Sequence, residues 1–328
     1  MKLVVFLCFF MLFSNVHATE SLIVFGGGTS KGVFSPIVES ICTDISFTKE
    51  SKQRCKAIKT SGSMHNLLGV ISGELDVGLT MPALIHDAYK GVGIFNKIGP
   101  QTQLRTIAAI YSQPIGILVN KESTIMGLSD FKGKSINIGQ EGSGRREIAN
   151  MLFEYMGWTN ADFSEVFEYT TREMTDAFCN GDIDILIQVV GLPGKFYDKI
   201  QNKCNARLLS LSNSLINEIH QKNTFYKKAY IPQQLLPNND KDIYTLEMDV
   251  VIVTSDTVSN KTVHSLLGTL FSSRDKVYEI HRAIKATYFS GNDFFSRATG
   301  APLHESAKLF IDGLSVKNNT KQTKFASK

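Results

Sequence analysis

Apolar and polar positions alternate along the chain with two different periods. Residues 21–25 form a short apolar run that predicts a strand, and a glycine-rich turn and a helix follow it. In that helix the apolar residues recur every fourth position, which places them on one face: Val33, Ile37, Ile41 and Ile45. Strand-like runs and amphipathic helices continue to alternate, and this order predicts an α/β fold built on largely parallel sheets.

Two further strand-turn-helix units have the same pattern. Residues 56–60 predict a strand, and residues 61–63 then predict the cap of a helix. Residues 135–139 predict another strand, a turn at residues 140–144 follows, and the next helix stops at Gly157. The predicted apolar faces contain Leu67, Leu68 and Ile71 in the first helix and Ile148, Leu152 and Tyr155 in the second.

A weak internal repeat divides the chain. Residues 72–79 (SGELDVGL) match residues 180–187 (NGDIDILI), and both predict a helix that ends at glycine before a buried strand. Asp76 and Asp184 stand where these strands begin, which predicts turn and cap roles for them, because ligands in open α/β sheets gather beyond the carboxyl ends of strands. The repeat predicts two related lobes.

Chain length also favours two lobes, because about 310 residues remain after the N-terminal segment and single hydrophobic cores stop growing below that size. The extended runs at residues 111–117 and 244–253 are predicted to link the lobes. The predicted divisions are a first lobe from residues 19–112 and 250–315, a second lobe from residues 113–249, and a disordered tail at residues 316–328.

The N-terminal segment predicts export. Lys2 precedes an unbroken apolar run, residues 3–13, and a small residue, Ala18, ends the segment. This pattern is typical of a secretory signal peptide, residues 1–18, that is cleaved after Ala18. A membrane anchor is the alternative, but the run has only about half of the ~20 apolar residues that a spanning helix needs.

Charge and cysteine content narrow the class of protein. The 35 Lys and Arg against 31 Asp and Glu give a net charge of +4, too small and too scattered to indicate a nucleic-acid partner. Cys8 falls in the signal, and the other four cysteines can pair in an oxidising compartment. Three pairings are formally possible, and proximity in sequence favours Cys42 with Cys55 and Cys179 with Cys204. A metal site is the weaker alternative, because no CxxC or clustered Cys/His spacing occurs.

Three turns that precede predicted helices present backbone N–H groups to an anion. The first, residues 26–32, invites comparison with a phosphate loop, but it fits neither the Walker motif nor the dinucleotide fingerprint. Exposed amides and a helix dipole remain at three places, residues 29–33, 61–63 and 142–145. Arg145 and Arg146 follow the third turn and are candidates for a carboxylate clamp, with a solvated surface as the alternative.

Catalytic patterns do not fit the chain. No GxSxG elbow and no HExxH pair occurs, and the histidines are dispersed along the sequence. The sequence therefore predicts a binding protein that uses no cofactor and no metal, and not an enzyme. The alternative from another class is a hydrolase or transferase that uses Ser143 or His65.

Several short motifs follow one another in a specific order, at residues 27–36, 61–63, 72–76, 87–91, 128–134, 139–144, 230–232 and 302–304. Together they resemble the TAXI branch of the solute receptors of tripartite ATP-independent periplasmic (TRAP) transporters. The resemblance implies a type II periplasmic binding protein, in which two α/β lobes joined by a two-segment hinge close on a ligand. It also implies a periplasmic receptor for a small anionic or zwitterionic solute, an organic acid or an amino acid such as glutamate, that is delivered to TRAP membrane subunits.

The resemblance also implies which residues contact the ligand. In the first lobe these are Thr29, Ser30, Gly32, Ser61, Gly62, Ser63, Asn66, Thr80 and Met81. In the second lobe they are Gly142, Ser143, Gly144, Gln188 and Gly191. Tyr111, Phe225 and Tyr230 are candidates for apolar walls of the site.

Departures from the family pattern leave the identity of the ligand open. Lys31 stands where a small or polar residue is usual, Met64 and His65 replace a smaller pair, and residues 188–195 differ from the common pattern. A monomer is expected. A stand-alone periplasmic sensor or an immunogenic surface protein is the alternative with the same fold.

Overall fold

The computed structural model describes residues 21–30, 32–47, 53–189, 191–272 and 293–313. The predicted signal peptide, residues 1–18, and the predicted tail, residues 316–328, lie outside these ranges, and so does Lys31. The described residues form a mixed α/β fold on one continuous sheet of ten strands. Within them, none of the helices combines the length and the apolar character that crossing a membrane requires.

The first lobe contains three parallel strands and the helices that follow them. Its elements are β1 (Ser21–Gly26), α1 (Phe34–Phe47), β2 (Gln53–Ile58), α2 (Ser63–Ser72), β3 (Val77–Thr80) and α3 (Pro82–Lys90). The strands lie in the order β2-β1-β3. The predicted apolar face is confirmed, since its four residues are at most 4% exposed, although Val33 lies just before the first residue of α1.

Two details of the first lobe differ from the sequence prediction. Strand β2 begins at Gln53 and not at residue 56, because it pairs in register with the whole length of β1. Leu68, predicted on the buried face of α2, is 44% exposed, whereas Leu67 and Val70 are buried. Each helical residue turns by about 100°, so the position after Leu67 leaves the buried face.

The second lobe repeats this plan. Its elements are β5 (Ser135–Asn137), α4 (Gly144–Met156), β6 (Glu165–Phe167), α5 (Thr171–Asn180), β7 (Ile185–Val189), α6 (Lys195–Cys204), β8 (Ala206–Leu208), α7 (Asn213–Lys222) and β9 (Lys227–Ile231). The parallel order β6-β5-β7 matches β2-β1-β3 of the first lobe. Strand β5 ends before the predicted residue 139, and α4 stops at Gly157 with a φ of 64°, as predicted.

Two long antiparallel strands join the lobes. Strands β4 (Leu104–Asn120) and β10 (Ile243–Ser255) contain the two predicted links and pair with each other. β10 also pairs with β3 of the first lobe, and β4 continues beside β7 and β8 of the second. The predicted lobe boundaries at 112/113 and 249/250 fall inside these strands, so no loop marks either of them.

The internal repeat forms the same structure twice. Gly73 and Gly181 end α2 and α5 in the left-handed region, with φ of 77° and 85°. The carboxylate of Asp76 then accepts the N–H of Val24 in β1 at 2.7 Å, and that of Asp184 accepts the N–H of Ser135 in β5 at 2.9 Å. Each aspartate fastens its own strand to the first strand of its lobe. The role is structural, as predicted, but the carboxylate bonds a neighbouring strand and does not cap a turn or a helix.

After β10 the chain packs against the first lobe. Its last described helices are α8 (Asn260–Ser272), α9 (Asp293–Ser296) and α10 (residues 305–313). The Gln53 amide of β2 donates to Thr262 of α8 at 3.2 Å. Thr106 of β4 donates its hydroxyl to the carbonyl of Ala298 at 2.8 Å. The end of the chain is thereby held to both an edge strand and a hinge strand.

Both favoured cysteine pairings are present. The disulfide Cys42–Cys55 joins α1 to β2, and Cys179–Cys204 joins α5 to α6. They close loops with sequence separations of 13 and 25 residues. In the chain-entropy account, loops of this size contribute about 3 kcal/mol each by restricting the unfolded chain.

Asn66 of α2 fastens the carboxyl ends of the first-lobe strands. Its side chain is fully buried, and its Nδ2 donates to the carbonyls of Gly27 at 2.6 Å and Leu79 at 2.7 Å. Its Oδ1 accepts from the Thr60 hydroxyl at 2.8 Å. One side-chain amide therefore provides hydrogen-bond partners for buried polar groups near the carboxyl ends of all three strands, β1, β2 and β3.

The lobes touch where α2 and α3 meet α4. Gly144 lies so close to the first lobe that a Cβ atom on it would be 3.3 Å from both Ser63 Oγ and Met81 Cε. Deeper along the same contact, burial raises the pKa of Glu147 in α4 to about 7, the charge of Arg146 opposes this, and the charge of Asp87 in α3 adds to it. The contact between lobes thus includes a carboxyl group whose protonation favours the folded chain.

Replacing Asn66 by alanine is expected to lower the free energy of unfolding by about 3 kcal/mol, because three hydrogen bonds to buried groups are lost. Denaturant unfolding checks this. His65→Ala, the change at the exposed neighbouring position, is the control and should stay within about 0.5 kcal/mol of wild type. Equal effects of the two substitutions would show that Asn66 does not hold the strands.

Glu147 is expected to make stability fall as pH rises. Its pKa is about 7 in the folded protein, against an ordinary value of 4.5 for a glutamate, so between these values the folded chain holds a proton that the unfolded chain has lost. In Glu147→Gln the thermal midpoint should therefore depend less on pH within this window. Glu154→Gln, which removes the same charge from an exposed position of α4, is the control. A Glu147→Gln profile that still falls like wild type would contradict this.

Candidate ligand-binding site

A cavity of about 410 Å³ lies between the lobes. Its walls come from the turns that follow β1, β2, β5 and β6, from β4, and from the end of β7. These turns follow the carboxyl ends of the parallel strands in both lobes, where α/β folds bind ligands. The lining residues are Gly28, Thr29, Ser30, Gly32, Val33, Phe34, Ser61, Gly62, Ser63, Tyr111, Gln113, Gln140, Ser143, Gly144, Arg145, Thr170, Thr171, Arg172, Gln188, Val189 and Phe196.

The cavity brings together nine of the fourteen residues that the family resemblance implies: Thr29, Ser30, Gly32, Ser61, Gly62, Ser63, Ser143, Gly144 and Gln188. The other five lie outside its wall. Asn66 and Thr80 are fully buried beneath it, and Met81 packs against Gly144. Gly142 and Gly191 also lie outside the lining, Gly142 beside Ser61 at the contact between lobes.

Of the three candidate apolar walls, only Tyr111 lines the cavity. It is fully buried, and burial raises the pKa of its hydroxyl far above the ordinary value. Tyr230 is 61% exposed on β9, and Phe225 packs on His86 with ring centroids 5.3 Å apart. The apolar part of the wall comes instead from side chains beside the glycine turn and after β7: Val33, Phe34, Val189 and Phe196.

Helix N-termini surround the cavity. α2 starts after Gly62, and α4 starts after Ser143, whose hydroxyl accepts the N–H of Arg146 at 3.2 Å. The first residues of both helices line the cavity. Backbone N–H groups and the positive end of the helix dipole therefore lie in its wall, an arrangement that stabilises anions.

The N-terminus of α5, which was not among the three predicted turns, also lines the cavity. Thr170 caps α5, with its hydroxyl accepting the N–H of Glu173 and the Glu173 carboxylate accepting the N–H of Thr170. Thr170, Thr171 and Arg172 all line the cavity. The Thr-x-x-Glu spacing of a capping box is a local signal that marks this helix start. Only the fold shows that it faces the glycine turns of the first lobe.

Arg145 is the buried cation of the cavity. Its side chain is in a residue only 8% exposed, and its Nε and Nη2 each lie 3.1 Å from Gln188 Oε1. Nη2 also donates to Thr171 Oγ1 at 2.9 Å, and Nη1 to the Tyr169 carbonyl at 3.3 Å. Burial lowers the pKa of Arg145 to about 10, so it is charged at neutral pH. All these partners are neutral oxygen atoms.

Only one arginine of the predicted pair, Arg145, lines the cavity. Arg146 forms an ion pair with Glu168 at 2.5 Å and donates to the Gly139 carbonyl, and it does not line the cavity. Arg172 is exposed and lines the cavity as its second cation. No aspartate or glutamate is among the described residues of the lining. The formal charge contributed by these residues is therefore positive.

Comparison with known proteins places the chain in a family. A model of the NMT1-like family matches residues 25–311. MatC from Rhodopseudomonas palustris with bound malate is similar in structure at 12% identity, with 80% of this chain and 88% of that chain covered and a TM-score of 0.53. XAC2383 from Xanthomonas citri bound to ATP is similar at 10% identity, with 90% and 96% covered and a TM-score of 0.50.

A third structure, the periplasmic aliphatic sulphonate binding protein SsuA from Escherichia coli, is 13% identical over 82% of this chain and 75% of that chain, with a TM-score of 0.47. At these identities the likeness concerns the fold alone. The predicted fold class, a type II periplasmic binding protein with two α/β lobes on a two-segment hinge, is confirmed. Because the family model covers most of its length, the chain belongs to the NMT1-like family.

Proposed function

We propose that this protein is a solute receptor that captures a small organic acid by closing its two lobes. The observation that carries the proposal is the guanidinium of Arg145, which lines the cavity and bonds to neutral oxygen atoms. A buried charge is costly unless an opposite charge meets it. The carboxylate of a ligand supplies that charge, and a guanidinium holds a carboxylate with matched geometry.

The rest of the wall suits an organic acid. The starts of α2, α4 and α5 present backbone N–H groups and hydroxyls to carboxylate oxygens. Phe34 and Phe196 offer apolar surface to a short carbon chain. A cavity of about 410 Å³ has the size typical of small-ligand sites. The fold shared with MatC, whose structure contains malate, is compatible with this choice.

Between an organic acid and an amino acid, we favour the acid without an amino group. Two arginines and no carboxylate are among the described lining residues, so an ammonium group would meet only neutral acceptors and would lie in a positive field. Glutamate is therefore the weaker candidate within the solute class that the sequence suggested.

We further propose that the receptor works in the periplasm and delivers its solute to the membrane subunits of a TRAP-type transporter, as a member of the TAXI branch. The order of the sequence motifs supports the branch. The two disulfides suit an oxidising compartment, which supports the location. Binding without chemical turnover follows from the same proposal.

Arg145→Met is expected to weaken binding of the tightest ligand in a panel of malate, succinate and glutarate by about 100-fold, since a buried charge pair is lost. Isothermal titration calorimetry measures this. Arg146→Gln is the matched control, because Arg146 lies next in the chain, pairs with Glu168 and is outside the lining. A similar loss in both variants, or none in Arg145→Met, would contradict the proposal.

Gln188→Glu separates binding from stability. The new carboxylate would occupy the position of the amide that already meets Arg145, and it would neutralise the guanidinium within the protein. Affinity for the acid should fall by at least about tenfold. The thermal midpoint should rise by ~2–4 °C because the buried charge gains a partner. Tighter acid binding in Gln188→Glu would show that Arg145 does not bind the anion.

The preference for an acid without an amino group is tested with a matched ligand pair. Glutarate and glutamate have the same carbon chain and differ by one ammonium group. We expect glutarate to bind at least about tenfold more tightly, because removing the ammonium avoids desolvating a charge that has no carboxylate partner. Titration calorimetry at pH 7 gives both affinities. Tighter binding of glutamate than of glutarate would contradict this preference and would indicate a receptor for amino acids.

A further inference from the structure

Asp249 is a buried carboxylate at the centre of the hinge. It lies on β10 in a residue 1% exposed, directly opposite Ser112 of β4. The Ser112 hydroxyl donates to Asp249 Oδ1 at 2.7 Å. The pair therefore links the two strands that join the lobes, at the level where both pass from one lobe to the other.

Cations from two different parts of the chain meet this carboxylate. Arg297, which follows α9, places Nη2 2.8 Å from Asp249 Oδ1 and Nε 3.1 Å from the same oxygen. Lys227, the first residue of β9, donates its ammonium to Asp249 Oδ2. Arg297 also reaches Ser112 Oγ at 3.0 Å and Glu247 Oε1 at 3.3 Å. The described members of the cluster contribute two positive and two negative formal charges.

The two cations are anchored to different lobes. Ala298, next to Arg297, accepts the hydroxyl of Thr106 at 2.8 Å, where β4 still runs in the first lobe. Tyr226, next to Lys227, has its carbonyl 2.8 Å from Nδ1 of His220 in α7 of the second lobe. A change in the angle between the lobes therefore moves one cation relative to the other across Asp249.

The network lies behind the floor of the cavity. Tyr111 and Gln113 of β4 line the cavity, and Ser112 between them points to the other face of the strand, where it meets Asp249. The register of β4 against β10 shifts between Val250 and Val251, directly after Asp249. Such irregularities bend a strand locally. The network thus adjoins the place where β10 departs from regular pairing.

We propose that the cluster of Asp249, Lys227 and Arg297 is a hinge latch that holds the lobes at the closed angle and so sets ligand affinity without touching the ligand. The inference rests on the proposed capture by lobe closure. Because the lobes already touch at Gly144 and Ser63, the latch stabilises the closed arrangement. Removing Lys227, the cation held by the second lobe, should shift the population toward open molecules, and the apparent affinity should fall in proportion to the remaining closed fraction.

Lys227→Met tests the latch, since Arg297 still neutralises Asp249 when the lysine is gone. Spin labels on cysteines at exposed positions, Ile94 in the first lobe and Met126 in the second, report the distance between lobes by double electron–electron resonance. Glutarate is the binding probe, in calorimetry. Lys228→Met, the same change at the exposed neighbouring position, is the control, and Lys227→Arg is the charge-conserving rescue.

We expect Lys227→Met to broaden the distance distribution toward longer values and to weaken glutarate binding by about tenfold, with a circular dichroism spectrum like wild type. Lys228→Met and Lys227→Arg should match wild type. An unchanged distance in Lys227→Met overturns the latch, even if binding weakens. If glutarate, malate and succinate fail to bind wild type while the distance still lengthens, the proposed function fails and the hinge latch stands.

Discussion

The architecture of the cavity depends on one interaction, in which neutral oxygen atoms hold the buried guanidinium of Arg145. Arg145 from α4 meets Gln188 at the end of β7 and Thr171 at the start of α5, so three elements of the second lobe have to keep fixed positions. β7 is held by its pairing with β4, and α5 is held by its capping box and by the Cys179–Cys204 disulfide. This framework leaves a positive charge in the wall of the cleft, and we propose that the solute neutralises it.

The cleft forms because the two lobes share one arrangement of strands and helices. Each lobe has three parallel strands in the same order, and each has an aspartate that ties its third strand to its first, Asp76 in one lobe and Asp184 in the other. Parallel strands send their carboxyl ends to one edge. The long strands β4 and β10 connect the lobes so that these two edges border one cavity. Loops with amide donors thereby face each other, although they are far apart in sequence.

Local patterns in the sequence predicted much of this, and their failures have physical reasons. The stripe from Val33 to Ile45 was correct because one helical face packs on one sheet. The predicted burial of Leu68 was wrong, because Leu67 and Leu68 are both apolar and their apolar character alone does not decide which of the two faces the sheet. Asn66 stands one helical turn beyond the turn that lines the cavity, so its amide faces the strand ends and satisfies buried carbonyls. The second arginine of the predicted clamp, Arg146, is neutralised by Glu168, a partner distant in sequence.

The sequence by itself determined the periodicity of strands and helices, the internal repeat and the amide-rich turns, and it favoured the correct cysteine pairs, because each of these depends on neighbouring residues or short spacings. Only the tertiary structure decided which turns share a cavity, that the start of α5 joins them, and that Arg145 is buried among neutral oxygen atoms while Arg146 is paired. It also brought Asp249 together with Lys227 and Arg297. Burial and charge pairing depend on residues distant in sequence, and the fold alone brings those residues into contact.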